Sequence, residues 1–292
     1  DFVPSRGLGD VYKRQYLTSS DLSGYATESW VTGRGYATES WVSGRSYATE
    51  SWVSGQGYST DSVDANLQDL AGYLTVDTSA NEVVFSGANV FVQSGSGSTS
   101  GTLNGLGNLF VGYNETSGED QSGSHNLVVG KYHTFSSYGG VVFGYGSDIT
   151  AAYATVTGGR YNSAGAIYAA VSGGVYNEVT GSYSSISGGY SNEVTGSYAS
   201  SSGGYLNEVT GSYASISGGG ANTASGSFSS INGGIYNTAS GYNSTLLGGY
   251  ENVASNTESV VVGGAYNDNS GYSAVLLGGY GESATSSYSV EP

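Results

Sequence analysis

A pair of adjacent glycines recurs with a 15-residue period in the C-terminal half of the sequence. The pair occurs nine times without a slip, from Gly158-Gly159 to Gly278-Gly279. A fixed short period places each side chain over its equivalent in the preceding repeat, at the roughly 4.8 Å spacing of neighbouring β-strands. The sequence therefore predicts an all-β fold, a parallel β-roll or β-solenoid of nine 15-residue coils. A coil here is one turn of the chain around the solenoid axis.

Each coil is long enough for two strands of about five residues joined by two tight turns, which gives a narrow, two-sided roll. The glycine pair is predicted to form one turn, because glycine permits positive φ and close approach of neighbouring backbones. Asn followed by Ser-Gly or Thr-Gly is predicted to form the other turn. The first five predicted turn pairs are Gly158 and Gly159, Gly173 and Gly174, Gly188 and Gly189, Gly203 and Gly204, and Gly218 and Gly219.

One Asn stands three residues after the second glycine in eight of the coils. Stacked amides can hydrogen-bond to one another and to the turn backbone, so these residues are predicted to form a structural ladder. The predicted Asn ladder contains Asn162, Asn177, Asn192, Asn207, Asn222, Asn237, Asn252 and Asn267.

Alternation along the segment from Tyr183 to Ser187 places Ile186 in the core and Tyr183 outside. An apolar residue occupies the position of Ile186 in eight of nine coils, and Ser201 is the exception. The facing core layer is predicted to contain Val179, Val194, Val209, Ala224 and Ala239. Such a core is only a few side chains thick, so stability is expected to depend mainly on backbone ladders and stacking.

The residues before the regular coils divide into four further regions. Units of the form YATESWVxGxx repeat with period 11 from Tyr25 to Tyr58 and predict a glycine-rich, intertwined shaft. Ser62 to Ala71 has one apolar stripe and predicts a short helix. The predicted boundaries are 1–15 for a non-native segment, 16–60 for the shaft, 61–75 for a helical neck, 76–157 for irregular cap coils and 158–292 for the regular roll.

The N-terminal segment, up to Gln15, differs in composition from the rest of the chain, because Pro4, Arg6, Lys13 and Arg14 are concentrated there. The run SRGLGDVYKRQ, residues 5–15, resembles a translated sequencing adapter. We therefore expect a fragment of a longer protein, in which neither native terminus, secretion signal nor anchor is visible.

Charge and composition exclude several classes of partner. The formal net charge of −16 would repel a phosphate backbone, so no nucleic acid partner is expected. There is no Cys, which excludes disulfides and Cys-based zinc sites. No apolar run approaches the roughly 20 residues of a membrane span, so no membrane span is predicted in this chain.

The repeats also carry family resemblances. Units such as SYSSISGGYSNEVTG and SYASISGGGANTASG, within residues 108–290, resemble the 14-residue head repeat of YadA-like trimeric autotransporter adhesins, which forms a left-handed parallel β-roll. The YATESWV units resemble shaft repeats of bacteriophage tail-fibre proteins. Both families are homotrimeric and bind cell surfaces, so the two resemblances imply an extracellular, homotrimeric adhesive fibre on a bacterial surface or a virion. Its partner would be a cell-surface glycan or protein receptor.

The candidate site is an outward-facing set of aromatic residues at one phase of five coils. These side chains are expected to form either a subunit interface or a ligand-contact surface. They are Tyr168, Tyr183, Tyr198, Tyr213 and Phe228.

Two other groups of residues are weaker candidates for chemistry. Glu178, Glu193 and Glu208 share one phase of adjacent coils, a spacing compatible with a glycosidase pair or a cation site; a solvated acidic stripe is the alternative. His125 and His133 are the only imidazoles, and trimer symmetry would be needed to make either a metal site. No catalytic residue, metal site or cofactor is predicted.

Three functions follow from these observations. They are the head of a bacterial surface adhesin, a segment of a bacteriophage tail fibre that binds a host receptor, and a β-solenoid enzyme that degrades polysaccharide. We expect a non-enzymatic adhesive or structural fibre.

Overall fold

The structure is a computed structural model that describes residues 69–292. The chain divides into two units, Asp1–Val90 and Phe91–Pro292. The predicted non-native segment, the shaft and most of the predicted helix lie outside the described residues. Residues 69–71 are helical, at the end of the segment predicted to be a helix.

The described part of the first unit contains a β-hairpin. Strands β1 (Leu74–Asp77) and β2 (Glu82–Phe85) pair antiparallel. The Asp77 carboxylate accepts hydrogen bonds from the Ser79 hydroxyl and from the backbone N–H groups of Ser79 and Ala80, which lowers its pKa. This turn reverses the chain between β1 and β2, so residues 74–85 form an antiparallel hairpin, whereas the sequence predicted irregular cap coils from residue 76.

The second unit is a parallel β-solenoid, as the glycine period predicted, and it has about twelve coils. Two sheets form its sides. The first sheet contains β3 (Leu109–Val111), β4 (Leu127–Lys131), β6 (Val141–Tyr145), β8 (Thr155–Val156), β10 (Ala170–Val171), β12 (Ser185–Ile186), β14 (Ser200–Ser201), β16 (Ser215–Ile216), β18 (Ser230–Ile231), β20 (Thr245–Leu246), β22 (Val260–Val261), β24 (Val275–Leu276) and β26 (Val290–Glu291). The second contains β5 (Thr134–Phe135), β7 (Asp148–Ile149), β9 (Ser163–Ala164), β11 (Glu178–Val179), β13 (Glu193–Val194), β15 (Glu208–Val209), β17 (Thr223–Ala224), β19 (Thr238–Ala239), β21 (Val253–Ala254), β23 (Asp268–Asn269) and β25 (Ser283–Ala284).

The strands of the regular coils are two residues long, shorter than the five residues predicted. At least three residues in each regular coil have positive φ, for example Tyr183 (60°), Gly189 (92°) and Ser191 (50°). Such residues cannot continue an extended strand. Each coil therefore bends at more places than a two-turn scheme allows.

The solenoid begins before the first glycine pair, so the expected nine coils are too few. Leu109 pairs with Leu127 across an 18-residue step, and Leu127, Val141 and Thr155 then pair in register at 14-residue steps. From Thr155 onward the step is 15. The glycine pair does not mark the earlier coils, because each has a single glycine, Gly130 or Gly144, at the corresponding turn.

The core has one side chain from each sheet per coil. Ile186 and Val179 are fully buried, as the alternation predicted, while Tyr183 is half exposed. Residues of the first sheet are mostly Val, Ile or Leu, and those of the second become mainly Ala from Ala224 onward. Ser201 occupies a buried position between Ile186 and Ile216.

Candidate functional site

The predicted aromatic residues lie at the turn that leads from the second sheet into the first. In each of these five coils the aromatic residue is in the left-handed backbone region, and in four of them a Ser precedes it. The φ values of Tyr168, Tyr183, Tyr198, Tyr213 and Phe228 are between 56° and 63°. This conformation costs an aromatic residue roughly 1–2 kcal/mol relative to the right-handed region. The five rings therefore share one defined corner of their coils.

These rings form one continuous column along the edge of the solenoid. We call it the first aromatic column. Neighbouring centroids are 4.8–5.1 Å apart from Tyr153 to Phe228, and the planes of Tyr183, Tyr198, Tyr213 and Phe228 are within 3° of parallel. The column consists of Tyr138, Tyr153, Tyr168, Tyr183, Tyr198, Tyr213, Phe228 and Tyr242.

The stacking decides which atoms of the column face solvent. The five predicted side chains are 45–51% exposed. Because each parallel ring covers the face of the next, the exposed atoms are ring edges and phenol hydroxyls. The first aromatic column therefore presents a ridge with a repeat of 5.0 Å, which suits an extended partner better than a single sugar ring seated on an aromatic face.

The column ends where the sequence changes at the same corner. Asn243, Glu258 and Ser273 replace the aromatic residue there, also with positive φ. Tyr242 makes a tilted contact with Phe228, with planes at 68°. Polar residues thus adopt the same backbone conformation, so the turn itself does not require an aromatic ring.

The Asn residues form a buried ladder inside the solenoid. Asn192 Nδ2 donates to the carbonyl oxygens of Gly188 and Gly204, at 3.2 and 3.1 Å, and to Asn177 Oδ1 at 3.1 Å. Its Oδ1 accepts the backbone N–H of Asn207. The eight predicted Asn side chains are 0–1% exposed. They join successive coils and do not reach a ligand.

The ladder extends further toward the N-terminus than predicted. Ser147 Oγ accepts the backbone N–H of Asn162, and His133 Nδ1 accepts that of Ser147. His133 is fully buried, and its Nε2 lies 3.2 Å from the carbonyl oxygen of Val129. His133, Ser147 and Asn162 occupy the same position of successive coils, at steps of 14 and 15 residues. This spacing is the sequence signal for the extension of the ladder. His133 is therefore a structural residue of this ladder.

The other imidazole is also held by backbone groups. His125 Nε2 accepts the backbone N–H of Ser94 at 3.1 Å, and its Nδ1 lies 3.2 Å from the carbonyl oxygen of Thr99. The side chain thus fastens the segment that precedes β3. Within residues 69–292, no three His, Asp or Glu side chains are grouped to hold a metal ion.

The predicted acidic residues form a short stripe on the second sheet. Glu178, Glu193 and Glu208 are direct partners on adjacent parallel strands, and all three are exposed. Partial burial, together with the two neighbouring carboxylates, raises the pKa of Glu193. The stripe lies on an open sheet surface.

A second aromatic column, absent from the sequence predictions, follows the other edge of the solenoid. Its rings stand one or two residues after the turn glycine of each coil. Tyr161 and Tyr176 are stacked with centroids 5.2 Å apart, whereas Tyr176 and Tyr190 meet edge to face. The column contains Tyr132, Tyr145, Tyr161, Tyr176, Tyr190 and Tyr205 and, after a gap, Tyr236, Tyr250, Tyr266 and Tyr280.

Comparisons with known proteins do not assign a family. No protein-family model matches the chain, and no curated protein matches it. In the described part of the chain, no helix is both long enough and apolar enough to cross a membrane. Function is therefore inferred from the repeats and from the two aromatic columns.

Proposed function

We propose that this chain is a non-enzymatic segment of an extracellular, homotrimeric fibre that attaches to a cell surface through its β-roll. The observation that carries the proposal is the first aromatic column. Eight aromatic side chains follow one edge of the solenoid, and most are about half exposed. Such a continuous aromatic surface is typical of protein interfaces and attachment surfaces.

The backbone conformation of the corner also supports an attachment role for the rings. Asn243 and Ser273 occupy the same left-handed corner that Tyr183 and Tyr198 occupy. Asn in particular adopts this conformation more readily than an aromatic residue. Aromatic residues at the corner are therefore better explained by what their rings contact, both within the column and on a partner.

The ridge geometry favours a long partner surface, such as the equivalent edge of another subunit. The resemblance to YadA-like adhesin heads supports a homotrimer, and the 14-residue steps at Leu127, Val141 and Thr155 match the unit length of those heads. A bacteriophage tail fibre that binds a host receptor is the alternative setting for the same architecture. In both settings the partner would be a cell-surface glycan or protein.

Light scattering of the full chain tests the assembly. We expect a particle of about three times the chain mass of 29.6 kDa. Replacing Tyr183 and Tyr213 together by Ser should weaken the trimer and reduce attachment to cells. In the matched control, Tyr176 and Tyr205, which lie in the second aromatic column, are replaced by Ser, and this variant should keep both the trimer and the attachment. A stable wild-type monomer would refute the proposed trimer.

The competing enzymatic hypothesis is tested separately. A polysaccharide-degrading solenoid would release oligosaccharides from a surface glycan, and the acidic stripe would carry the reaction. We expect no release by the wild-type chain. Release that is lost when Glu178, Glu193 and Glu208 are all changed to Gln would overturn the non-enzymatic proposal.

A further inference from the structure

An open cleft lies where a non-repeating loop meets the second aromatic column. Residues 115–124 form this insert loop, between β3 and β4. Tyr132 donates its backbone N–H to the Glu115 carbonyl, and Phe135 donates its own to the Asp120 carbonyl. These bonds, 2.7 and 2.9 Å long, fasten the loop to the next coil.

The cleft has a volume of about 480 Å³, within the roughly 300–1,000 Å³ of small-molecule sites. The loop and three successive coils form its walls, so this cleft depends on the loop that interrupts the repeat. The lining residues that bear on ligand chemistry are Ser117, Glu119, Tyr132, Tyr145, Asp148 and Tyr161.

The aromatic rings of the cleft are arranged differently from those of the first column. Tyr132 and Tyr145 meet at 72°, and Tyr145 and Tyr161 meet at 81°. In an edge-to-face pair the edge of one ring contacts one face of the other, so less of the ring faces is covered than in a parallel stack. Because the three rings are not stacked in parallel, the ring faces that neither a neighbouring ring nor a cation covers are open to a ligand.

The only two Lys or Arg residues after Arg45 are both at these rings. Lys131 Nζ lies 5.3 Å from the centroid of Tyr132, and the Arg160 guanidinium lies 4.6 Å from that of Tyr161. Arg160 also donates to the Tyr161 hydroxyl, and that hydrogen bond lowers the pKa of Tyr161. Neither cation is among the residues that line the cleft, so the charged side chains on its wall are carboxylates.

Two carboxylates supply the charge of the wall. Glu119 accepts hydrogen bonds from the Thr116 hydroxyl and from the Ser117 backbone and hydroxyl groups, which lower its pKa to about 2. Asp148 comes from β7. Carboxylates are strong hydrogen-bond acceptors and repel an anionic ligand. Carboxylate acceptors beside aromatic faces fit a ligand with apolar C–H faces and many O–H donors.

We propose that this cleft binds one neutral pyranose unit of a surface glycan. The ring would lie against Tyr132, Tyr145 and Tyr161, and its hydroxyls would donate to Glu119 and Asp148. This inference rests on the proposed attachment function. It deepens that function by naming the class of partner that one part of the solenoid would bind.

The chain contains its own matched controls. Tyr250 and Tyr266 occupy the phases of Tyr145 and Tyr161 seven coils later, and their centroids are also 5.4 Å apart. Asp268 occupies the phase of Asp148 eight coils later, one coil further along than the equivalents of the two tyrosines. These equivalents lie far along the chain from the insert loop.

Calorimetry and saturation-transfer NMR on the full chain, with neutral and acidic disaccharides, test the inference. Wild type should bind a neutral disaccharide and not its uronic-acid counterpart. Asp148→Asn, Glu119→Gln and Tyr145→Ala should each weaken binding roughly tenfold or more, the loss expected for a hydrogen bond to a charged group or a stacking face. Asp268→Asn and Tyr250→Ala should bind as wild type does.

Three outcomes would overturn the inference. They are no binding of any neutral disaccharide, binding of Ca²⁺ alone, and equal loss of binding in the control variants. Attachment of wild type to cells is measured in parallel. If cells are bound but disaccharides are not, the cleft assignment fails and the attachment function stands; if wild type binds neither, the attachment function fails as well.

Discussion

At the scale of single residues, the two glycines of the Gly188-Gly189 pair have different roles. Gly189 has a φ of 92°, and a Cβ there would meet the carbonyl oxygen of Gly204 and Asn192 Nδ2. Gly188 has no positive φ, and nothing lies within 4 Å of its would-be Cβ. Both positions are glycine in all nine repeats, so the sequence does not distinguish them. Only the stacking of the coils does.

We therefore predict opposite results for two neighbouring substitutions. Gly189→Ala should lower the free energy of unfolding by more than about 2 kcal/mol, because it adds steric contact to the cost of left-handed φ. Gly188→Ala should leave it unchanged or raise it by about 0.4–1 kcal/mol, because it restricts the unfolded chain. Urea unfolding of both variants measures the difference, and equal destabilisation would contradict this role for Gly189.

At the scale of the element, the second sheet carries an unfavourable set of charges. Burial and like-charge repulsion raise the pKa of Glu193 in the folded state. A raised carboxyl pKa means that ionisation opposes folding, so the cost is absent below the ordinary Glu pKa of roughly 4.3 and develops as the pH rises. Glu193→Gln should therefore stabilise the protein at pH 7 by about 0.2–1 kcal/mol, the usual range for facing like charges, and solvent screening of the exposed stripe favours the lower end.

The gain from Glu193→Gln should shrink in high salt and disappear below about pH 4, where the carboxylates are protonated. Asp268→Asn is the control, since Asp268 has the same phase but pairs with Val253 and Ser283. Thermal unfolding at several pH values measures both. A gain in Glu193→Gln that persists at low pH would rule out charge repulsion as its cause.

The sequence predicts a structural element correctly where one position of the 15-residue repeat determines both the backbone conformation and the direction of the side chain. The positions of Ile186, Val179 and Asn192 each recur with the 15-residue period, so their burial follows from stacking alone. The second aromatic column was missed because it changes phase, as at the 14-residue step from Tyr176 to Tyr190. The cleft was missed because it depends on how residues 115–124 fold back, and that loop has no repeat to constrain it.

At the scale of the whole solenoid, each regular coil contacts mainly its two neighbours. In sheet pairing, β13 joins only β11 and β15, and the same holds along both sheets. Stability in such a chain is approximately a sum of coil terms and nearest-neighbour terms. Removing one complete period should therefore preserve the fold.

We predict that a deletion of one full period is tolerated better than a deletion of about half a period. Removing residues 188–202 joins Ser187 to Gly203, restores a glycine pair and keeps every later residue in phase. Removing residues 188–195 deletes β13 but leaves β14, so the second sheet loses a strand at the junction while the first does not.

The longer deletion should unfold cooperatively with a urea m-value lower by roughly a tenth, in proportion to the lost surface. The shorter deletion should show a larger loss of unfolding free energy and a broader transition, because its two halves can no longer stack in register. Greater stability of the shorter deletion would mean that the 15-residue phase does not hold the coils together.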